Sequence, residues 1–138
     1  FPTRRSSDLG TRDVIADEMY RKTQSLYQLE DDYRLWTREQ DRLQDDLFQR
    51  SKLLERIIQQ EHEYGLAILR RFDLSHQEGA SFLNELDWLL QDSEHHHRRL
   101  QQEIEWKRED EYSTFLRKQR ELEEEIDQLR RQYASTDK

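Results

Sequence analysis

Residues 26–47 read LYQLEDDYRLWTREQDRLQDDL, and Leu26, Leu29, Tyr33, Trp36, Gln40, Leu43 and Leu47 recur in them at alternating steps of three and four. The rhythm continues through Arg50, Leu54, Ile57, Glu61, Tyr64 and Ile68, and extends back in phase through Met19 and Ile15. Ten of the thirteen positions from Leu26 to Ile68 are apolar. A three-four spacing places side chains along one stripe of an α-helix, and over this length it predicts a coiled-coil seam. Gln40, Arg50 and Glu61 interrupt it. Polar seam residues weaken such a pair but fix its register and partner choice.

A second stretch behaves alike. Leu83, Leu86, Leu90, Ser93, His97, Leu100 and Ile104 keep the rhythm, as do Tyr112, Phe115, Gln119, Leu122, Ile126, Leu129 and Tyr133. Between Ile104 and Phe115, with Arg108 and Tyr112 between them, the steps predict a stutter that locally unwinds the supercoil. Neither Gly nor Pro occurs in residues 11–64 or 80–138. The zone between carries Gly65 and Gly79, either of which could end the first helix. Ser75 with Glu78 three residues later is a capping-box candidate for the second.

The reading is therefore all-α: two long antiparallel helices forming a coiled-coil hairpin. Helix one covers about residues 11–73, the turn about 73–80 and helix two about 80–135. With the turn near residue 74, facing residue numbers sum to about 148. That sets Trp36 against Tyr112, Tyr33 against Phe115, Leu26 against Leu122, and Ile57 against Leu90. Residues 1–10 are read as non-native or disordered. Phe1-Pro2-Thr3-Arg4-Arg5-Ser6-Ser7-Asp8-Leu9 resembles a translated sequencing adapter, and Met19 is the only methionine.

Composition narrows the function. The 138 residues are 39% charged and 33% hydrophobic, with three Gly and one Pro. Ordinary globular domains are about 45–50% apolar and about 25% charged. Glycine-dependent sheet folds are disfavoured, and 10% aromatics, with three Trp, argue against disorder. Net charge is −8 without a long basic run, which disfavours nucleic acid and anionic membranes as partners. With no Cys there is no disulfide framework or thiolate site. The longest aliphatic run, Leu66-Ala67-Ile68-Leu69, is too short to span a bilayer. No signal peptide is read, and a cytoplasmic location is expected.

Candidate site residues lie off the seam. Trp88 and Trp106 are eighteen residues apart, five helical turns, so they share a face roughly opposite Leu86, Leu90, Leu100 and Ile104. In an isolated hairpin both indoles would be largely wet, and Trp is a favoured anchor at protein interfaces. Tyr20, Tyr27, Phe48 and Leu69 form a second off-seam set at multiples of seven, pointing either to another packed helix or to a broader hairpin core. The predicted partner-binding residues are Trp88, Trp106, Tyr27 and Phe48.

No catalytic, cofactor or metal site is expected. His95, His96 and His97 point about 100° apart on a helix, and the i, i+4 partners of a helical zinc site are absent. Acidic runs such as Glu123-Glu124-Glu125 among Arg120, Arg130 and Arg131 read as a solvated face. A two-helix hairpin offers no pocket to tune a carboxylate, so the chain is read as non-enzymatic, without a small-molecule substrate.

Residues Phe82-Leu83-Asn84-Glu85-Leu86-Asp87-Trp88 after the turn and Glu111-Tyr112-Ser113-Thr114-Phe115-Leu116-Arg117-Lys118 later, with the hairpin length and acidic Gln-rich seams, resemble one family. It comprises small α-helical proteins of Gram-positive bacteria encoded beside LXG polymorphic toxins, and the likeness covers about residues 19–135. It implies an accessory chaperone or targeting factor that binds a helical toxin domain, or another small helical accessory protein, for type VII secretion. No Trp-x-Gly turn is present, since Arg38, Leu90 and Arg108 stand two places after the three Trp, so the chain does not resemble a WXG100 protein itself. The alternative expectation is a self-associating structural or regulatory coiled coil, such as a flagellar-export-stalk-like protein.

Overall fold

The computed structural model describes residues 2–72 and 76–136, with side chains over 10–72 and 77–136. It is an all-α helical hairpin of two elements, α1 (Pro2–Arg71) and α2 (His76–Ser135). Both start earlier than the sequence pattern suggests. Pro2 opens α1 at a position where proline's missing N–H costs nothing. α2 begins before Gly79, so Gly79 is an interior helical residue and not a terminator, and α1 runs through Gly65. Arg70 and Arg71 lie in the last turn of α1 and Glu78 in the first turn of α2, each matching the helix dipole. The capping candidate Ser75 lies outside the described residues.

The chain packs as two compact units, one made of residues 1–38 with 108–138 and the other of residues 39–107. In the first, the terminal unit, the predicted register holds. The Tyr33 ring stacks on Phe115 with centroids 4.3 Å apart and planes 10° apart. Lys22 Nζ lies 2.8 Å from Glu125, Gln119 Nε2 donates to Glu30 at 3.5 Å, and the Arg12 guanidinium sits 4.5 Å over the Tyr133 ring. Ile126 is buried beneath this ladder. One pair differs from expectation: the ring contact to Tyr112 is made by Tyr33, at 6.2 Å, and Trp36 stacks on Tyr33 of its own helix. Tyr33 and Trp36 are three residues apart on one face, and the three-residue step from Tyr112 to Phe115 brings both of those rings to Tyr33. The Glu125 hydrogen bond and charge raise the Lys22 pKa above 10.5. On the Lys22 side the contribution is therefore full at neutral pH and is lost as pH rises through that raised value.

In the second, the turn unit, the register departs from the heptad. The inward line of α1 is Gln40, Gln44, Leu47, Ser51, Glu55, Ile58, His62, Gly65 and Leu69, all buried or half-buried. Leu43, Leu54, Ile57 and Tyr64, expected on the seam, are exposed. The predicted facing pair Ile57–Leu90 gives way to Ile58, which shares a groove with Leu90. The cause is helical pitch. A heptad repeat stays on one face only if the helix underwinds to 3.5 residues per turn, and a straight helix drifts about 20° per heptad. Two successive four-residue steps, Leu47 to Ser51 to Glu55, restore the straight-helix period. On α2 the predicted line holds from Leu83 to His97 and at Ile104, with Leu86 buried and Leu83, Leu90, Ser93, His97 and Ile104 half-buried, while Leu100, also expected on the seam, is exposed.

The two buried glycines show why they stand inside helices. A Cβ at Gly65 would come 2.7 Å from the Phe82 ring, and one at Gly79 would overlap the Leu69 side chain. Each glycine lets a large residue of the other helix lie against its backbone. Overpacking a well-filled contact costs typically about 1–3 kcal/mol. Gly79→Val is expected to lower the stability of the protein by about 1–2 kcal/mol, after allowing for valine's better helix propensity, read as a fall in the thermal midpoint.

Candidate helix-binding groove

The residues displaced from the seam do not disperse over the surface. Leu54, Ile57, Ile58 and Glu61 from α1 and Leu86, Leu89, Asp92, Ser93 and His96 from α2 line one open groove of about 480 Å³ in the turn unit. Ile58 and Leu86 are its buried floor, at 8% and 7% exposure, while Ile57 at 46% and Leu89 at 47% form its exposed walls. The apolar surface continues along both helices. Tyr64 follows Ile57 by seven residues, Phe82 precedes Leu89 by seven, and Leu100 follows Ser93 by seven, so each stays on the groove side, and all three are exposed. Leu43, fourteen residues before Ile57, lies on the same line and is also exposed.

This face follows directly from the sequence pattern and its drift. A heptad-spaced apolar stripe on a helix that keeps its own pitch rotates to one side of the partner helix, leaving one groove apolar and the other polar. The opposite groove is lined by Glu55, Ile58, Gln59, His62, Asp87, Leu90 and Glu94, mostly polar groups. Apolar surface left in water forgoes about 25 cal/mol per Å² of burial, and a contiguous patch of it rimmed by polar residues is typical of an interaction site.

Trp88 and Trp106 are 62% and 66% exposed, and Tyr27 and Phe48 are 55% and 54% exposed. None of the four lines the groove. On α2, Leu89 enters the apolar groove and Leu90 the polar one. Trp88 belongs to a different face, turned away from both and shared with Trp106. Phe48 carries Lys52 Nζ 5.6 Å over its ring, a contact within one helix. Sequence reasoning missed Leu89 and assigned Leu54 and Ile57 to the wrong side of their helix. The available signal was the excess of four-residue steps, because a stripe of Leu47, Ser51, Glu55 and Ile58 competes with that of Leu47, Leu54 and Ile57.

The histidines diverge as their spacing dictates: His96 lines the groove, His97 is half-buried and His95 is exposed. Among the described residues no group of three His, Cys, Asp or Glu could hold a metal ion. Zinc titration followed by calorimetry is expected to show no stoichiometric complex, and a tight one lost on His96→Ala would contradict that. No described helix is long and apolar enough to cross a membrane.

No protein-family model, curated protein or solved structure matches this chain.

Proposed function

We propose that this protein is a non-enzymatic helical binding module that receives a helix of a protein partner along the groove of the turn unit. The observation that carries the reading is the run of exposed aliphatic side chains, Leu54, Ile57 and Leu89, arranged on both walls over a buried Ile58 and Leu86 floor. Two helices with an apolar trough between them lack a third helix to fill it, and helix-in-groove docking uses anchors at i, i+3, i+4 and i+7. The partner class we propose is the helical domain of an LXG toxin, or a small helical accessory protein acting with it, with this chain as a cytoplasmic chaperone or targeting factor for type VII secretion. What supports this finer reading is the likeness of Phe82–Trp88 and Glu111–Lys118 to that family, together with the unfilled trough.

The test is coexpression with the product of the neighbouring gene and, separately, with an LXG domain, followed by copurification and a binding isotherm. Ile57→Ala with Leu89→Ala should weaken binding at least tenfold, which corresponds to about 1.4 kcal/mol. Trp88→Ala and Trp106→Ala bear on the opposite face of α2. They should leave the melt within about 0.5 kcal/mol of the parent, since the indoles are exposed, while also weakening binding at least tenfold as a second contact surface. Absence of any complex with the LXG domain would remove the secretion reading.

A further inference from the structure

The groove has a sign as well as a shape. Glu61 and Asp92 line it, one on each wall, and no Lys or Arg does. Glu85, seven residues before Asp92, lies on the same line of α2 and extends the acidic edge by two turns. All three carboxylates are exposed, and none has an ion-pair partner among the described residues. The cations nearest in phase, Arg50 seven residues before Ile57 on α1 and Arg99 seven residues after Asp92 on α2, both stand beyond the groove lining, at its end away from the turn.

We infer that the occupant of the groove is an amphipathic helix whose apolar stripe is edged by Lys or Arg, supplied by a different protein. This rests on the helix-binding reading above and adds the chemistry of the bound segment. An apolar stripe fills the trough over Ile58 and Leu86, while basic residues on its two margins meet Glu61 on one wall and Glu85 and Asp92 on the other. Complementary potentials of this kind steer encounter and reject wrong partners. A second copy of this chain is disfavoured by charge: each chain carries a net −8, and its groove lining has no Lys or Arg to offer the acids of a two-fold-related groove.

The experiment uses the full chain and two labelled peptides of about 20 residues, about 30 Å as helix, with one leucine stripe edged by Lys in the first and by Glu in the second. Fluorescence anisotropy should give at least tenfold tighter binding of the Lys-edged peptide, with the preference shrinking as salt screens the rim. The triple variant Glu61→Lys, Glu85→Lys, Asp92→Lys should invert the preference while its circular dichroism is unchanged. Equal binding of both peptides would overturn the basic-edged occupant and leave helix binding standing. Binding of neither, with sedimentation showing a dimer that Leu89→Asp dissociates, would overturn both and identify a second copy as the occupant.

Discussion

Ile58→Asp is expected to unfold the turn unit at temperatures where Ile57→Asp leaves it folded, although the two residues are adjacent. Ile58 is 8% exposed and Ile57 is 46% exposed. Placing a carboxylate at Ile58 removes a buried aliphatic side chain, worth about 2–5 kcal/mol on truncation alone. It also puts a charge where no described cation lines either groove to receive it. The combined loss should reach about 3–5 kcal/mol, a fall of about 10–20 °C in the thermal midpoint. At Ile57 the new carboxylate faces water, and the cost should stay within about 1 kcal/mol, part of it the lower helix propensity of Asp. The same Ile57→Asp change should abolish partner binding, because it replaces apolar contact surface with a charge that the partner's apolar stripe would have to desolvate. Parallel melts of the two variants separate the observed register from a strict heptad, for which the ranking is reversed.

Tyr33→Ala is expected to be the most damaging single truncation in the terminal unit. Its ring is stacked on Phe115 at 4.3 Å, touches Tyr112 at 6.2 Å and supports Trp36 at 6.2 Å. Aromatic pairs contribute about 0.5–1.5 kcal/mol each beyond the area they bury. Full burial would give about 3–5 kcal/mol for the truncation. Tyr33 is only half-buried, so about 3 kcal/mol is expected. Tyr33→Phe keeps the stack and should restore nearly all of it. Tyr27→Ala, six residues earlier and exposed, should change the melt by about 0.5 kcal/mol or less. Trp36 fluorescence gives an independent reading, since it should shift only in the Tyr33→Ala variant.

The helical hairpin was legible in the sequence, and so was much of its register. Long stretches free of Gly and Pro that carry a three-four apolar rhythm and aromatic residues read as helix, and the turn falls where the punctuation lies. Tyr33 against Phe115 follows from one counting rule, and Lys22 against Glu125 obeys it, because an antiparallel pair advances equally along both helices; Leu69, read from its spacing as off the seam, instead turns inward and packs on Gly79. The exposure of Trp88 and Trp106 was also foreseeable, since their phase on α2 opposes that of Leu86 and Leu90.

What tertiary structure decided is the pitch. Leu43, Leu54, Ile57 and Tyr64 satisfy a heptad in sequence, and nothing local says whether the helix will underwind to keep them inside. Supercoiling is set by how two surfaces fit, and here Gly65 accepts Phe82 and Gly79 accepts Leu69 only at one rotation of α1. That rotation puts Ile58 under the seam and turns Ile57 outward, about 100° away, to the wall of the groove. Amino-acid order determined which residues are apolar and how often they recur. Packing of one helix against the other determined which of them became core and which were left facing a partner.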